Sequence, residues 1–590
     1  MKGVIAVNEP KRVACGAPDF AILRGTGGSA QTVGYVEAKD PAVQLLAIHR
    51  DSERARPATE NGKQLKRYRA GIQNLLFTNS LEFRWYVDGR LRTTTNFGSL
   101  VRDTVRVDTL SSEALLGQLQ GFLSYDPPPV SNPRDLADRM ARIAHLIRDL
   151  VMTAFATEQE SDTLKDMYRA FVEVLLPALP KEQFADMFAQ TLTYGLFAAR
   201  VNHDKPARFR RQDAATEIPK TNPFLRRFFG AITGVALDDE PYAGFVDDLV
   251  QLLANTDMHA VLADFGKRTR QLDPVVHFYE TFLRVYDPEL RELRGVYFTP
   301  EPVVAYIVRS IDDLLRTRFA SGGLADTARM PAAIEDGISP SHRVLVLDPA
   351  CGTGTFLYAV IDLIREGMAA NAGKWSGYVR DHLLPRINGF ELLMALYAVA
   401  HLKLGMQLAA LDLPEASRAA WAYDFASHER LGVFLTNTLE EAAQRSDLLM
   451  GAFISDEANA AGQLKRDLPI MVVLGNPPYS GESANPSTRK EKVKKGQRYR
   501  RRMGGRWDWA TAKSDLVATV PTFIGQLLDD YHHVRGKPLG ERNPKWLQDD
   551  YVKFIRFGQW RIDKTGAGVL AFVTNTVTWT TQRFAACGAP

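Results

Sequence analysis

The sequence predicts an α/β protein: a doubly wound sheet over residues 291–590, preceded by a helical connector over 91–290 and a small α/β unit over 1–90. Three observations carry this. From about 295 onward apolar strands alternate with turns and helical stretches, in "RVLVLDPACGTGTFLYAVIDLIRE", "INGFELLMALYAVAHLKLG", "VFLTNTLE", "IMVVLGNPPY" and "AGVLAFVTN". That succession is the pattern of a doubly wound sheet. From about 110 to 290 long segments such as "DLADRMARIAHLIRDLVMTAF" and "FADMFAQTLTYGLFAARV" place apolar residues at a period near 3.6, with Pro-containing breaks at Pro127 to Pro133 and Pro219 to Pro223. Near the start, "PDFAILRG", "TVGYVEAKD" and "LLFTNSLEFRWYVDG" read as three or four strands ending at Asp88-Gly89, with a helix around "NGKQLKRYRAGI".

Composition sets the frame. A chain of 590 residues with 45% hydrophobic content can bury several cores, enough for roughly three to four domains. The net charge of +4 neither demands nor excludes nucleic acid, so any basic footprint has to be local. Cys15, Cys351 and Cys587 are too widely spaced for a disulfide framework or a CxxC metal pair, as expected of a reducing compartment. There is no apolar run of membrane-spanning length and no leader pattern. The expectation is a cytoplasmic protein with no membrane partner.

A ligand site is written into "RVLVLDPACGTGTF", where the strand Val344 to Leu347 runs into Asp348 and a turn holding Gly352 and Gly354. A parallel sheet binds ligands beyond its strand ends, and glycines there let backbone approach the ligand. The spacing is not GxGxxG and no GxxxxGK[ST] is present, so neither a dinucleotide fingerprint nor a Walker loop is expected. One strand on, "GFEL" places Glu391 where a carboxylate can accept both ribose hydroxyls. Glu391 is read equally well as a helix-start residue favoured by the dipole.

"DPACGTGTF", "GFEL", "NTLE" and "NPPY", in this order, resemble the S-adenosylmethionine and catalytic motifs of the amino-group DNA methyltransferases in their gamma arrangement. Upstream, "GVYFTPEPVVAYIV" is similar to the family's segment before the cofactor loop, with Phe298 where tyrosine is common. The resemblance implies that Thr299 and Pro300 flank the methionine end of the cofactor. It implies also that Asp348, Gly352 and Gly354 hold its amino-acid end, that Glu391 takes the ribose, and that Asn437 stands where an acidic residue contacts the adenine.

An exocyclic adenine amine is a poor nucleophile because its lone pair is delocalised into the ring. Two acceptors aimed at its N–H bonds keep that pair available: the Asn476 side-chain oxygen and the carbonyl of Pro477, which accepts although proline donates nothing. Pro477 and Pro478 stiffen the turn, and Tyr479 offers a face on which an extruded base can stack. Taken alone, Asn-Pro-Pro-Tyr is merely a turn. Its place after an apolar strand and downstream of the cofactor-type loop favours catalysis, on adenine N6 rather than the competing cytosine N4. Similar turns serve methyltransferases of glutamine side chains and RNA bases, so the context discriminates. That context is "TRKEKVKKGQRYRRRMGGRWDW", basic and interleaved with Tyr499, Trp507 and Trp509, read as a DNA-contacting loop or else a solvated, disordered insertion.

At the N-terminus, Asp19 opens one strand and Glu37 and Lys39 share one face of the next, because strand side chains repeat every two residues. Two carboxylates, Asp19 and Glu37, can hold Mg²⁺ while Lys39 positions the attacking water. Pro18-Asp19, Glu37-Ala38-Lys39 and the later Gln64 and Tyr68 of "QLKRY" resemble the PD-(D/E)xK nuclease superfamily. The additional acidic residue of its usual first helix has only Glu9 as a counterpart. Together the resemblances imply a type IIG or type ISP-like restriction–modification polypeptide without a helicase. The implied reactions are methyl transfer from S-adenosylmethionine to N6 of adenine in double-stranded DNA, and Mg²⁺-dependent cleavage. No target-recognition domain is expected within the chain, so recognition would come from a separate chain. Two alternatives stay open: a modification-only or defence protein whose nuclease-like fold binds DNA, and an inactive remnant.

Overall fold

The computed structural model describes residues 4–8, 16–25, 31–101, 104–107, 109–158, 160–176, 179–203, 209–218, 222–234, 237–238, 240–263, 274–286, 299–330, 341–411, 413–426, 429–440, 449–478, 483, 485–503, 506–534, 537–538 and 545–574. Glu9, Cys15, Phe298, Tyr479 and Cys587 lie outside the described residues. The chain forms two compact units. One comprises Met1–Tyr168, Leu179–Ile218 and Leu225–Tyr286, the other Arg169–Ala178, Pro219–Phe224 and Asp287–Pro590. No helix among the described residues is long and apolar enough to cross a membrane.

The first unit begins with a six-stranded mixed sheet of β1 (Val4–Val7), β2 (Phe20–Arg24), β3 (Gln31–Ala38), β4 (Asn74–Thr78), β5 (Glu82–Val87) and β6 (Arg90–Asn96), paired in that order. Only β3 and β4 run parallel. A parallel pair needs a crossover, supplied here by α1 (Leu45–Ser52) and α2 (Glu60–Gly71). The Thr59 hydroxyl caps α2 by accepting from Gly62 N at 3.0 Å.

Asp88-Gly89 does not end this sheet. Both residues have positive φ, 49° and 74°, the requirement of a tight hairpin turn, and the chain returns as β6. The unit also takes in α3 (Thr109–Leu123), whose Phe122 packs with Ile22, Val33, Leu76 and Trp85. Asn74 ties these layers together: its Nδ2 donates to the Val33 and Phe122 carbonyls, and its Oδ1 accepts from Trp85 Nε1 at 2.6 Å. The expected boundary at 90 therefore falls inside a continuous sheet-and-helix core. Helical elements follow, including α4 (Pro133–Ala156), started by the Asn132 cap with proline in the first turn, and α5 (Lys181–Asn202).

The second unit carries a five-stranded, wholly parallel sheet. In chain order its strands are β7 (Val346–Asp348), β8 (Ile387–Glu391), β9 (Gly432–Leu435), β10 (Val472–Gly475) and β11 (Val569–Phe572); in space the order is β9-β8-β7-β10-β11. Each of the first four is buried along all or nearly all of its length, because helices cover both faces. Leu345, Leu347, Phe390, Phe434 and Val473 pack against α8 (Leu449–Asp467) and α9 (Asp550–Thr565), while α6 (Thr355–Gly367) and α7 (Met394–Leu408) belong to the connections on the other side. The order reverses between β7 and β10. Such a switch point opens a crevice beyond the strands' carboxyl ends, and Asp348 and Gly475 stand at that point.

Candidate active sites

Asp348, the last residue of β7, is 1% exposed. Its Oδ1 accepts from Ala350 N at 3.2 Å, its Oδ2 has no partner among the described residues, and burial pushes the carboxyl up to about 8. The following turn is shaped by Gly352, whose φ of +55° disfavours other residues; no described atom lies within 4 Å of the place a Cβ would take there. That is open space beside backbone, what a bound ligand requires. Gly354, at φ +76°, starts α6. Glu391, the last residue of β8, accepts from Gly352 N at 2.8 Å through Oε2, and from Leu392 N and Leu393 N at 2.9 and 2.8 Å through Oε1. Burial raises its carboxyl to about 6 against the lowering effect of these amides. The carboxylate thus braces the glycine turn and the start of α7 while keeping lone pairs in reserve.

Asn437 follows β9 by two residues and is oriented from both sides. Its Nδ2 donates to the Leu175 carbonyl at 3.3 Å and to Asn485 Oδ1 at 2.8 Å, and its Oδ1 accepts from Leu439 N at 3.1 Å. With both N–H groups spent, the amide offers a ligand only acceptor capacity, as a carboxylate would. Asn485 in turn donates to Asp550 Oδ2, and Lys553, fully buried, donates to the Asn485 carbonyl at 2.6 Å, to Asp550 and to Ser483. On the other side Lys465 Nζ donates to Thr436 Oγ1 and to the Asn437 carbonyl; burial lowers this amine to about 7. Sequence reasoning missed Asn485, Asp550, Lys553 and Lys465. The one local signal was Asp550 and Lys553 at i,i+3.

Across the switch point, β10 ends at Gly475 with φ +149°, and a Cβ there would stand 2.5 Å from Asp348 Oδ1. Only glycine lets the two strand ends meet so closely. Asn476 comes next, half-buried, with Oδ1 shielded from solvent and without a partner among the described residues. Pro477 is buried and Pro478 half-buried; Tyr479 lies outside the described residues. Thr299 is half-buried, and Pro300 is exposed and precedes the helix Glu301–Arg318, accepting from Val303 N at 2.9 Å. Asp348, Glu391, Asn437 and Asn476 therefore come from the carboxyl ends of four adjacent strands.

In the first unit the N-terminal set also converges. Asp19 Oδ2 accepts from Ala38 N at 2.7 Å. Glu37, 3% exposed, accepts from Lys39 Nζ at 2.6 Å through Oε1, while its Oε2 is buried without a partner among the described residues. Burial raises the Glu37 carboxyl, and Lys39 partly counters this. Lys39 Nζ also donates to Gln64 Oε1 at 2.9 Å; Gln64 Nε2 donates to the Tyr68 hydroxyl, which donates to the Gly16 carbonyl. Among the described residues no group of three or more His, Cys, Asp or Glu could hold a metal. The pair Asp19 and Glu37 still fits Mg²⁺, which takes one or two carboxylates and keeps several waters.

The basic run is neither a loop nor disordered where described. It folds as antiparallel strands β12 (Thr488–Val493), β13 (Arg498–Met503), β14 (Arg506–Thr511) and β15 (Leu516–Pro521), with β12 paired to β15 and β13 to β14.

Residues 270–381 match the family model of N-6 DNA methylases. The match contains Thr299, Pro300, Asp348, Gly352 and Gly354 and stops before Glu391, Asn437 and Asn476. No curated protein matches the chain. Among solved structures, the chain is similar to that of a DrdV–DNA complex, at 21% identity and a TM-score of 0.44 over 99% of this chain and 47% of that one. A nuclease-deletion mutant of the type ISP restriction–modification enzyme LlaGI, in complex with a DNA substrate mimic, matches at 18% identity and 0.46 over 80% of this chain and 32% of that one. The ATP-dependent type ISP enzyme LlaBIII bound to DNA matches at 18% and 0.47 over 81% and 27%. The chain spans less than half the length of each.

Proposed function

We propose that the crevice between β7 and β10 transfers the methyl group of S-adenosylmethionine to N6 of adenine in double-stranded DNA, and that the Asp19–Glu37–Lys39 site cleaves DNA with Mg²⁺. One polypeptide would then join modification to restriction. The observation that carries the first part is the buried Oδ1 of Asn476 at the switch point, without a partner among the described residues and one residue beyond the close approach of Gly475 to Asp348. The match of residues 270–381 to N-6 DNA methylases supports the same reading.

Asp348 Oδ2 would hold the cationic amino group of the cofactor, the space at Gly352 its amino-acid end, and the remaining lone pairs of Glu391 its ribose hydroxyls. Thr299 and Pro300 would flank the methionine portion. Asn437 Oδ1 would accept from the cofactor's adenine amine, the role of the acidic residue it replaces. When bound, the cofactor supplies an electrophilic methyl group on a sulfonium. Asn476 Oδ1 and the Pro477 carbonyl accept the two N–H bonds of the target amine, pulling nitrogen density out of the ring and stabilising positive charge as it develops there. Proline geometry keeps these acceptors from reorganising, and Tyr479 would stack the extruded base.

At the other site Asp19 and Glu37 would hold Mg²⁺, which supplies Lewis acidity toward a phosphodiester. Lys39, fixed by Glu37 and Gln64, would position water.

The test is incubation with labelled S-adenosylmethionine and duplex DNA, with and without Mg²⁺, scoring label and strand breaks together. Label in N6-methyladenine without Mg²⁺, and breaks only with it, is the expected result. Bound cofactor with no label in DNA would overturn the methyl-transfer reading.

A further inference from the structure

We propose that the ribbon of β13 and β14 docks in the major groove of duplex DNA through one face, formed by Arg498, Arg500, Arg502, Trp507 and Trp509. The register defines this face. Arg500 stands opposite Trp509, Arg502 opposite Trp507 and Arg498 opposite Thr511, so the period of two gathers these side chains on one side. Tyr499, Arg501, Asp508 and Ala510 take the other, and Tyr499 packs there on the small core of Val493, Ala512, Ala518 and Val520. One face is thus committed to the ribbon's own packing.

The free face is prepared for a polyanion. The Arg498 and Arg500 guanidinium carbons each lie 5.0 Å from the Trp509 ring centre, and that of Arg502 lies 5.7 Å from Trp507. A guanidinium stacked on an indole has its in-plane donors still available for bidentate contacts. Among the described residues none of the three arginines has a carboxylate partner, and Asp508 belongs to the opposite face. A merely solvated charged face would not leave an indole 52% exposed, as Trp509 is. Two strands about 4.8 Å apart, with side chains, match a major groove about 12 Å wide, which admits a two-stranded ribbon, and exceed a minor groove of about 6 Å.

The root of the ribbon points to the same conclusion. Thr522, after β15, donates through N to the Ser487 carbonyl at 3.0 Å and through Oγ1 to the Pro486 carbonyl at 2.8 Å, next to Asn485, which bonds Asn437 at the crevice. In sequence, β12 begins twelve residues after Asn476. The inference deepens, and rests on, the reading of that crevice as a DNA methyltransferase site.

The test uses the full chain carrying Arg498→Gln, Arg500→Gln and Arg502→Gln together, with Arg501→Gln as the opposite-face control. Affinity for a fluorescent 30-base-pair duplex is measured across a salt series, with cofactor binding and thermal melting in parallel. The triple variant is expected to bind duplex at least tenfold more weakly, with a salt slope smaller by roughly 2 to 3, since each phosphate contact contributes about 0.9. The control, on the opposite face, should leave the slope unchanged. Arg500→Lys should keep the slope while weakening binding a few-fold. Equal slopes in wild type, triple variant and control would overturn the proposal, as would loss confined to single-stranded DNA. A wild type that binds duplex through these arginines but transfers no methyl would sink the methyl-transfer reading and leave the groove contact standing.

Discussion

An acceptor that, like Asn476 Oδ1, has no partner among the described residues costs about 1–3 kcal/mol where it is buried, so its retention points to a role outside the fold. Asn476→Ala should therefore leave thermal stability unchanged or slightly higher. It should cut methyl transfer by about 100-fold or more, the scale of losing one preorganised electrostatic contact, with cofactor affinity within about twofold. Labelled transfer and calorimetric binding on one preparation check this. Asp348 makes a prediction in pH. Its folded-state carboxyl is raised to about 8 by burial, so without cofactor the stable form is protonated. Stability from this group is fully present below the ordinary carboxylate range near pH 4 and is lost as pH rises toward 8, by up to about 1.4 kcal/mol per pH unit. Asp348→Asn should flatten that slope in melts between pH 5 and 8. The ionised form is the one that holds a cation, so wild-type cofactor affinity should rise up to about pH 8 and level off, while the variant binds weakly at every pH.

Between residues and whole units, the chain Asn437–Asn485–Asp550–Lys553 joins the loop after β9 to the segment after Asn476 and to α9. Removing one member of a fully bonded buried network leaves the others unsatisfied. Asn485→Ala should weaken cofactor binding several-fold, because Asn437 then loses the bond that aims its Oδ1, and should destabilise by about 1–3 kcal/mol in denaturant. Only the i,i+3 spacing of Asp550 and Lys553 was legible in sequence: the other bonded partners lie 48 and 65 residues apart, and hydrogen bonds leave no periodicity. Four of the five parallel strands were legible because burial on both faces leaves short, largely apolar segments between turn residues; β11, half-buried, was legible from its own apolar run "VLAF". The polar edge strand β6, "RLRTTTN", was not, since it buries almost nothing and shows no alternation. The ribbon was hidden differently. "RYRRRM" and "RWDWAT" read as a charge run until their pairing sorts arginine and tryptophan onto one side.

At the scale of the whole molecule, the two candidate sites lie in different compact units, Asp19, Glu37, Lys39 and Gln64 in one and Asp348, Glu391, Asn437 and Asn476 in the other. Neither site borrows a side chain from the other in any of the bonds described above. The two chemistries should therefore separate by mutation. Glu37→Gln is the sharpest probe, because Gln keeps an oxygen to accept from Lys39 Nζ while removing the charge and turning Oε2, without a partner among the described residues, into a donor that repels a cation. The fold of the sheet should survive, seen as an unchanged melting midpoint. Mg²⁺-dependent nicking of a supercoiled plasmid should fall to background, and label transfer to DNA should stay within about twofold of wild type. Asn476→Ala should give the mirror result, full nicking with transfer lost. If Glu37→Gln instead removes both activities at an unchanged melting midpoint, the sites act as one coupled system and their assignment to separate chemistries fails.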